Sequence, residues 1–373
     1  MLYLDNSATT QILPEVKDAM LPYLLEEYGN PSSKFYSLAQ NSKQAVDTAR
    51  NNVAKLLGCE PDEIIFTSGA TESNNFIIKG VAHYYKEKGN HIVTTKVEHP
   101  SILETCRYLE QNGYKITYLD VDAFGRVNPE DIANIISSDK PILISIMMGN
   151  NELGSINPIQ EIATICKENN IFFHTDATQC IGKVLFDLSE IEGINFLSCS
   201  SHKFHGPKGI GVAVIKKDEL GLPTPITPLL HGGGQEMDLR SGTLAVHNIV
   251  GMGKAAEIAF TNLNQNICKL EELESKLVSI LKAKFSNNIS FNNDQNNKIP
   301  GILSVQFKGI NNEVLVRNLA PIMAVSTGSA CSSSKPSHVL QAIGLTIDEL
   351  RSTIRFSLSS ATSLEELDIF NIL

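Results

Sequence analysis

The sequence contains no C-x-x-C pair. Its seven cysteines, Cys59, Cys106, Cys166, Cys180, Cys199, Cys268 and Cys331, are scattered and odd in number, which argues against a disulfide framework or a local zinc knuckle and makes reduced thiols the expectation. Positive charge is in short supply: 31 Lys and Arg stand against 41 Asp and Glu, a formal net charge of −10. Such a chain is a poor counter-ion for phosphate backbones or anionic lipid, so neither nucleic-acid nor membrane binding is expected. The N-terminus lacks the basic region and apolar stretch of a signal peptide, and the densest apolar run, 142–148, is far too short to span a bilayer. A cytoplasmic protein is expected. What is present is an ordinary globular composition, 42% hydrophobic and 19% charged with 25 Gly and 15 Pro, which excludes a collagen-like, coiled-coil or wholly disordered chain. At about 150 residues per domain, 373 residues suggest two domains, or one large domain with a smaller appendage.

Short β-rich runs alternate with amphipathic stretches of helical length through the first two thirds of the chain. The runs are 64–66, 92–94, 116–118, 142–147, 171–173, 196–197 and 210–215. They are apolar enough to be buried on both faces, which predicts an α/β fold with a mostly parallel seven-stranded sheet covered by helices. Ligands of such sheets bind at the carboxyl ends of the strands. From 248 to 285 the pattern changes to one long helical tract, with Leu263, Ile267, Leu270, Leu273, Leu277 and Leu281 at spacings of three and four, expected to bridge two domains. The Asn-rich stretch 286–297 reads as a polar connection without chemistry. Strand-like 302–307 and 324–326 then fit a smaller α+β domain. The division expected is a large domain over 15–250 and a small one built from 1–14 and 251–373.

Three segments carry candidate chemistry. The polar, glycine-rich loop 200–209 places Lys203 between two strand candidates, where an amine can form a Schiff base with a carbonyl cofactor; taken alone, Lys203 reads rather as a solvated surface charge. Asp176 follows the apolar run Phe172-Phe173-His174-Thr175, so its carboxylate emerges at the ligand edge of the sheet. It can hold a pyridinium nitrogen protonated or cap the next helix. Residues 66–73 run from a strand through Gly69 into a helix, where backbone N–H groups and the Thr71 hydroxyl suit a phosphate; the alternative is a loose capping box.

The order phosphate turn, aspartate strand, lysine loop resembles the pyridoxal-phosphate enzymes of the aspartate-aminotransferase fold, fold type I. Within their class-V aminotransferase family it is most similar to cysteine desulfurases of the NifS/IscS-like class. The motifs that carry the resemblance are 3–10 (YLDNSATT), 29–33 (GNPSS), 67–73, Glu98-His99, Asn150-Asn151-Glu152, 175–179, 202–209 (HKFHGPKG), 240–243 (RSGT) and 326–334 (STGSACSSS). They span Tyr3 to about Ser359 in the family's order.

The resemblance implies pyridoxal 5'-phosphate as cofactor, Lys203 as its Schiff-base lysine, Asp176 at the pyridine nitrogen and Gln179 at the phenolic oxygen. It places Ala70, Thr71, Ser200 and His202 at the phosphate and Thr243 at the phosphate of the other subunit, hence a homodimer. His99 would stack on the pyridine ring and assist proton transfer, although alone it reads as an exposed histidine before a proline turn. Asn151, also a cofactor contact, and Arg355 would hold the substrate carboxylate, for which a planar guanidinium is suited; without the resemblance Arg355 is a surface strand residue. Cys331, in a run of small residues, would be the nucleophile that takes sulfur from L-cysteine as a persulfide. The other six cysteines read mostly as inert core thiols. The implied acceptors are an iron–sulfur scaffold or a tRNA-thiolation relay. No permanent metal is expected, with Cys331 a candidate transient cluster ligand.

Two departures from the family pattern stand out. Ser201 replaces the usual Gly or Ala before His202-Lys203. Only 373 − 355 = 18 residues follow Arg355, with Ser359-Ser360-Ala361 in place of the usual Gly-Arg-Phe-like turn. Weak docking to a scaffold protein is therefore expected, and the apolar residues Leu364, Leu367, Ile369, Phe370 and Ile372 leave room for at most a brief helix.

Overall fold

The computed structural model describes residues 1–218, 220–328 and 336–371. The first strand, β1 (Leu2–Tyr3), is followed by α1 (Pro14–Leu25) and α2 (Ser37–Leu57), and then by the strands β2 (Ile64–Thr67), β3 (His91–Thr95), β4 (Lys115–Leu119), β5 (Leu143–Ser145), β6 (Phe172–Asp176), β7 (Phe196–Ser200) and β8 (Gly211–Ile215). These seven strands form one sheet in the order β2-β8-β7-β6-β5-β3-β4. All run parallel except β8, which is antiparallel to both β2 and β7. Between strands lie α3 (Ala70–Tyr84), α4 (Pro100–Gln111), α5 (Pro129–Ser138) and α6 (Ile159–Glu168).

Alternate side chains of each strand feed opposite faces. Ile64, Phe66, Val93, Phe173, Leu197 and Val212 pack with α2, α5 and α6, whereas Ile65, Ile92, Phe196 and Ala213 pack with α3 and α4. Every residue of β2, β3, β5, β7 and β8 is buried, as expected of strands covered on both faces. The edge strand β4 is only partly covered.

The expected single helix from 248 to 285 is two helices, α7 (Val246–Thr261) and α8 (Leu263–Phe285). Asn262 breaks the tract: its N–H closes α7 on Ile258 O at 3.0 Å and its carbonyl accepts from Asn266 N at 2.8 Å to start α8. Apolar periodicity carries no signal for such a break, because both helices keep a stripe. The stripes serve different cores. Ile249, Met252, Ala255, Ala256 and Ala259 join the core against α2, while Leu270, Leu273, Leu277 and Leu281 join a second core. The boundary expected at 250/251 lies within the span of α7.

The second core is roofed by β9 (Ile289–Phe291), β10 (Ile302–Phe307) and β12 (Thr353–Ser357), an antiparallel sheet in the order β12-β10-β9. The Asn-rich stretch is therefore part strand. Its Asn293 is buried and accepts from Ser304 N at 2.6 Å, so this asparagine satisfies a backbone group rather than solvating a linker. The run expected at 324–326 is β11 (Met323–Ala324), which pairs in parallel with β1 through Leu2 and Met323. The C-terminal segment is a short helix, Glu365–Asn371, that buries Leu367 and Phe370 in the second core. No helix among the described residues is long and apolar enough to cross a membrane.

Candidate active site

A cavity of about 470 Å³ opens at the carboxyl ends of the parallel strands. It is where the topology brings chain reversals together: β6 ends at Asp176, β7 at Ser200, and the β7–β8 connection carries Lys203. Ala70, Thr71, His99, Asn151, Asp176, Gln179, Ser200, His202, Lys203 and Arg355 all line it. Thr243 is exposed and lies outside the cavity wall. Cys331 lies outside the described residues.

The Lys203 amine donates to the carbonyls of Ser7 at 2.6 Å and Ala8 at 2.8 Å. Burial, with help from the Lys183 and Arg355 charges, pulls its pKa down to about 7 against the opposite pull of Asp176 and Asp5, so much of it is neutral near neutral pH. Asp176 accepts from Asn74 Nδ2 at 2.8 Å and from the Thr178 N–H at 3.0 Å. The carboxylate shapes the turn after β6 and lines the cavity; the expected alternative of a helix cap is not met, because β6 is followed by turns and not by a helix. Behind it, Ser198 links Asn74 to His174, and His174 bonds Ser145 at 2.8 Å. This chain fixes the Asn74 amide with its NH₂ toward Asp176.

The α3 N-terminus carries no side-chain cap. The expected capping box is absent: Glu72 accepts from the Ser68 N–H at 2.8 Å and pairs with Arg240 at 2.8 Å, leaving the helix N–H groups free of a side-chain acceptor. A Cβ at Gly211 would lie 2.6 Å from Gly69 Cα, so the turn rests on β8 only because position 211 is glycine. His202 closes the wall, its Nδ1 3.1 Å from Thr9 Oγ1; burial and then the Lys203 and Lys208 charges drive its pKa down to about 4.

His99 is not exposed. It caps α4, its Nδ1 accepting from the Ser101 N–H at 3.1 Å, which leaves the neutral ring's proton on Nε2. Burial lowers its pKa. Arg355, far from a surface residue, is 2% exposed. Its Nη1 donates to the carbonyls of Asn151 and Gly328, each at 2.9 Å, and its Nη2 pairs with Asp5 at 2.7 Å. Its Nε has no partner among the described residues. Gln179 Nε2 donates to Ser7 O at 2.9 Å.

Several contributors went unassigned in the sequence. Ser7 and Ala8 act through backbone carbonyls, which leave no side-chain signature. The buried Thr178 hydroxyl lines the cavity without a partner among the described residues. Glu98, within a quoted motif but without a role, accepts from Thr95 Oγ1 and Met147 N, both at 2.9 Å, and burial pushes it up to about 8. Of the cysteines read as inert, Cys106, Cys166, Cys180 and Cys199 are buried; Cys268 is exposed on α8, a departure from that reading.

The donor set fits pyridoxal phosphate. An uncapped helix N-terminus with Thr71, Ser200 and His202 suits the phosphate, the Asp176 carboxylate a pyridinium nitrogen, the Lys203 amine an aldehyde carbon, and the unpartnered Thr178 hydroxyl a further polar atom.

The chain matches the Aminotransferase class-V family over residues 2–370. It is 45% identical to the cysteine desulfurase IscS of Dictyoglomus turgidum over 370 residues, covering 98% of this chain and 92% of that protein. With the cysteine desulfurase IscS of Methanosarcina thermophila it shares 45% identity, covering 98% and 89%. Among solved structures it is similar to a NifS-like protein, with TM-score 0.91, 39% identity and coverage of 99% and 96%. It is also similar to SspA in complex with cysteine, with TM-score 0.84, 35% identity and coverage of 97% and 100%. The chain belongs to the class-V aminotransferase family, and its cofactor is pyridoxal phosphate.

Proposed function

We propose that this protein is a cysteine desulfurase that converts L-cysteine and the Cys331 thiol to L-alanine and a Cys331 persulfide. The observation that carries the reading is the convergence of Lys203, Asp176 and Arg355 on one cavity, in a chain whose relatives are named for this activity. When bound, pyridoxal phosphate supplies an electron sink for charge released at the α-carbon of an amino acid. Asp176, held by Asn74 and Thr178, keeps the pyridine nitrogen protonated. Ala70, Thr71, Ser200 and His202 would hold the phosphate, and Gln179 would serve the phenolic oxygen.

Arg355 and Asn151 would hold the substrate carboxylate, and the Lys203 amine, the group that would hold the cofactor's aldehyde carbon, would take the Cα proton. His99, whose neutral ring carries its proton on Nε2, would assist proton movement in the cavity it lines. The Cys331 thiolate attacks the substrate sulfur, so the Cβ–S bond breaks as an S–S bond forms; a proton then fills the valence at Cβ to give alanine. The reaction balances without an external oxidant or reductant. Thr243, outside this cavity, reaches the phosphate of a second subunit, which makes the working unit a homodimer. The persulfide sulfur passes to an acceptor such as an iron–sulfur scaffold or a tRNA-thiolation relay, in the cytoplasm.

Absorbance of the purified protein with pyridoxal phosphate, before and after L-cysteine, together with product analysis, tests the reading. The expected result is a lysine-bound cofactor band that L-cysteine perturbs, with alanine as the carbon product and loss of the borohydride-fixed adduct in Lys203→Ala. A keto acid as the main product, or an adduct on another lysine, would contradict it.

A further inference from the structure

A second cavity of about 250 Å³ lies on the far side of Lys203 and is lined by Lys183, Lys203, His205, Asn262 and Ser359 among others. Lys183 reaches it from the turn after β6. That turn is pressed onto the Lys203 loop: Gly182 has φ +76°, and a Cβ there would sit 3.2 Å from Phe204 Cβ and 3.4 Å from Ala259 Cβ. Neither lysine has a carboxylate within ion-pair distance among the described residues. Lys183 Nζ is instead moored 3.4 Å from Gln179 Oε1, and the same amide donates through Nε2 to Ser7 O, the carbonyl that also receives the Lys203 amine. Two lysine amines are thus tied to one amide–carbonyl path, with no carboxylate in that path among the described residues.

We propose that Lys183 is a positioning residue of the active site, a fixed cation moored on Gln179 whose field favours the neutral form of the Lys203 nitrogen. The proposal rests on Lys203 being the cofactor lysine. Burial brings Lys183 itself to about 8, with Cys180 opposing and Arg355 adding to the fall, so it still carries most of its charge at neutral pH. The groups around Lys203 are the cations Lys183 and Arg355, the anions Asp176 and Asp5, and the neutral-leaning His99 and His202. Around Lys183 are Cys180, Arg355 and, across the cavity, His205 and Glu15. Among these cations Arg355 is engaged by Asp5, whereas Lys183 has no ion-paired carboxylate among the described residues, so its charge acts on Lys203 against the pull of Asp176 and Asp5.

The test is the visible absorbance of bound pyridoxal phosphate in the resting holoenzyme as a function of pH, in the parent, Lys183→Met and Lys183→Arg. Removing the cation should move the protonation midpoint upward by about half a pH unit or more. Lys183→Arg should restore it to within about 0.2 units, a rescue that a purely structural role would not produce. An unmoved midpoint in Lys183→Met, or equal shifts in both variants, overturns the proposal. Should Lys183→Met not fold, Lys183→Gln takes its place under the same criteria. Borohydride trapping in each variant separates this from the underlying reading: an adduct on Lys203 with an unmoved midpoint overturns only the role of Lys183, whereas an adduct elsewhere overturns both.

Discussion

Arg355 spends most of its donors inside the protein, on two carbonyls and on Asp5, and so presents a guanidinium whose orientation is set before any substrate arrives. A lysine has no fork to match a carboxylate and cannot reproduce those contacts together. Arg355→Lys should weaken transition-state binding by roughly 1.5 to 3 kcal/mol, about ten- to a hundredfold in kcat/KM for L-cysteine; an unchanged value would remove Arg355 from the substrate site. His174 behaves differently. It is wholly buried between Ser145 and Ser198, and burial pulls its pKa down to about 4 from 6.5. The folded ring stays neutral where the unfolded one charges, so its contribution to stability is full above pH 6.5 and is lost as pH falls toward about 4. Thermal unfolding across that window should show a declining midpoint, and His174→Asn should flatten the decline. A slope unchanged by the substitution would mean that His174 is not held neutral.

At the level of elements, the alternation of apolar runs was enough to locate all seven strands of the large sheet, because strands buried on both faces leave unbroken apolar stretches. The strands that escaped, β1 and β9, are two and three residues long, too short for a pattern, and β1 is paired with a strand far away in sequence, Leu2 against Met323. The break at Asn262 escaped because it interrupts hydrogen bonding but not periodicity. The turn between β2 and α3 shows what the sheet contributes beyond pattern. Gly211 on β8 lets Gly69 approach, and Gly211→Ala forces a backbone to move, since the new methyl would meet Gly69 Cα at 2.6 Å. We expect a loss of about 1 to 3 kcal/mol in stability from overpacking and at least about a tenfold weaker hold on pyridoxal phosphate, measured by cofactor titration of the stripped variant. Parent-like affinity would show that the turn does not bind the phosphate.

Across the whole molecule, the cavity is a joint product of two cores. Lys203, Asp176 and the α3 turn come from the large sheet, whereas Arg355 comes from β12 of the small sheet. The N-terminal residues Asp5, Ser7 and Ala8 tie them together, with Ser7 O accepting from a lysine 196 residues away. Sequence motifs and the family resemblance singled out Lys203, Asp176 and Arg355 as candidates by their side chains, and all three line one cavity. They could not reveal that Ser7 and Ala8 serve through carbonyls, or that Lys183 approaches Lys203 through a glycine turn, since both depend on distant segments meeting. The central claim, sulfur transfer to Cys331, is tested most directly by peptide mass spectrometry after L-cysteine in the parent and in Cys331→Ser. The account predicts a persulfide on Cys331 formed in step with alanine in the parent, and neither persulfide nor alanine turnover in the variant although its cofactor stays bound and responds to L-cysteine. Parent-like sulfur release from Cys331→Ser would contradict it.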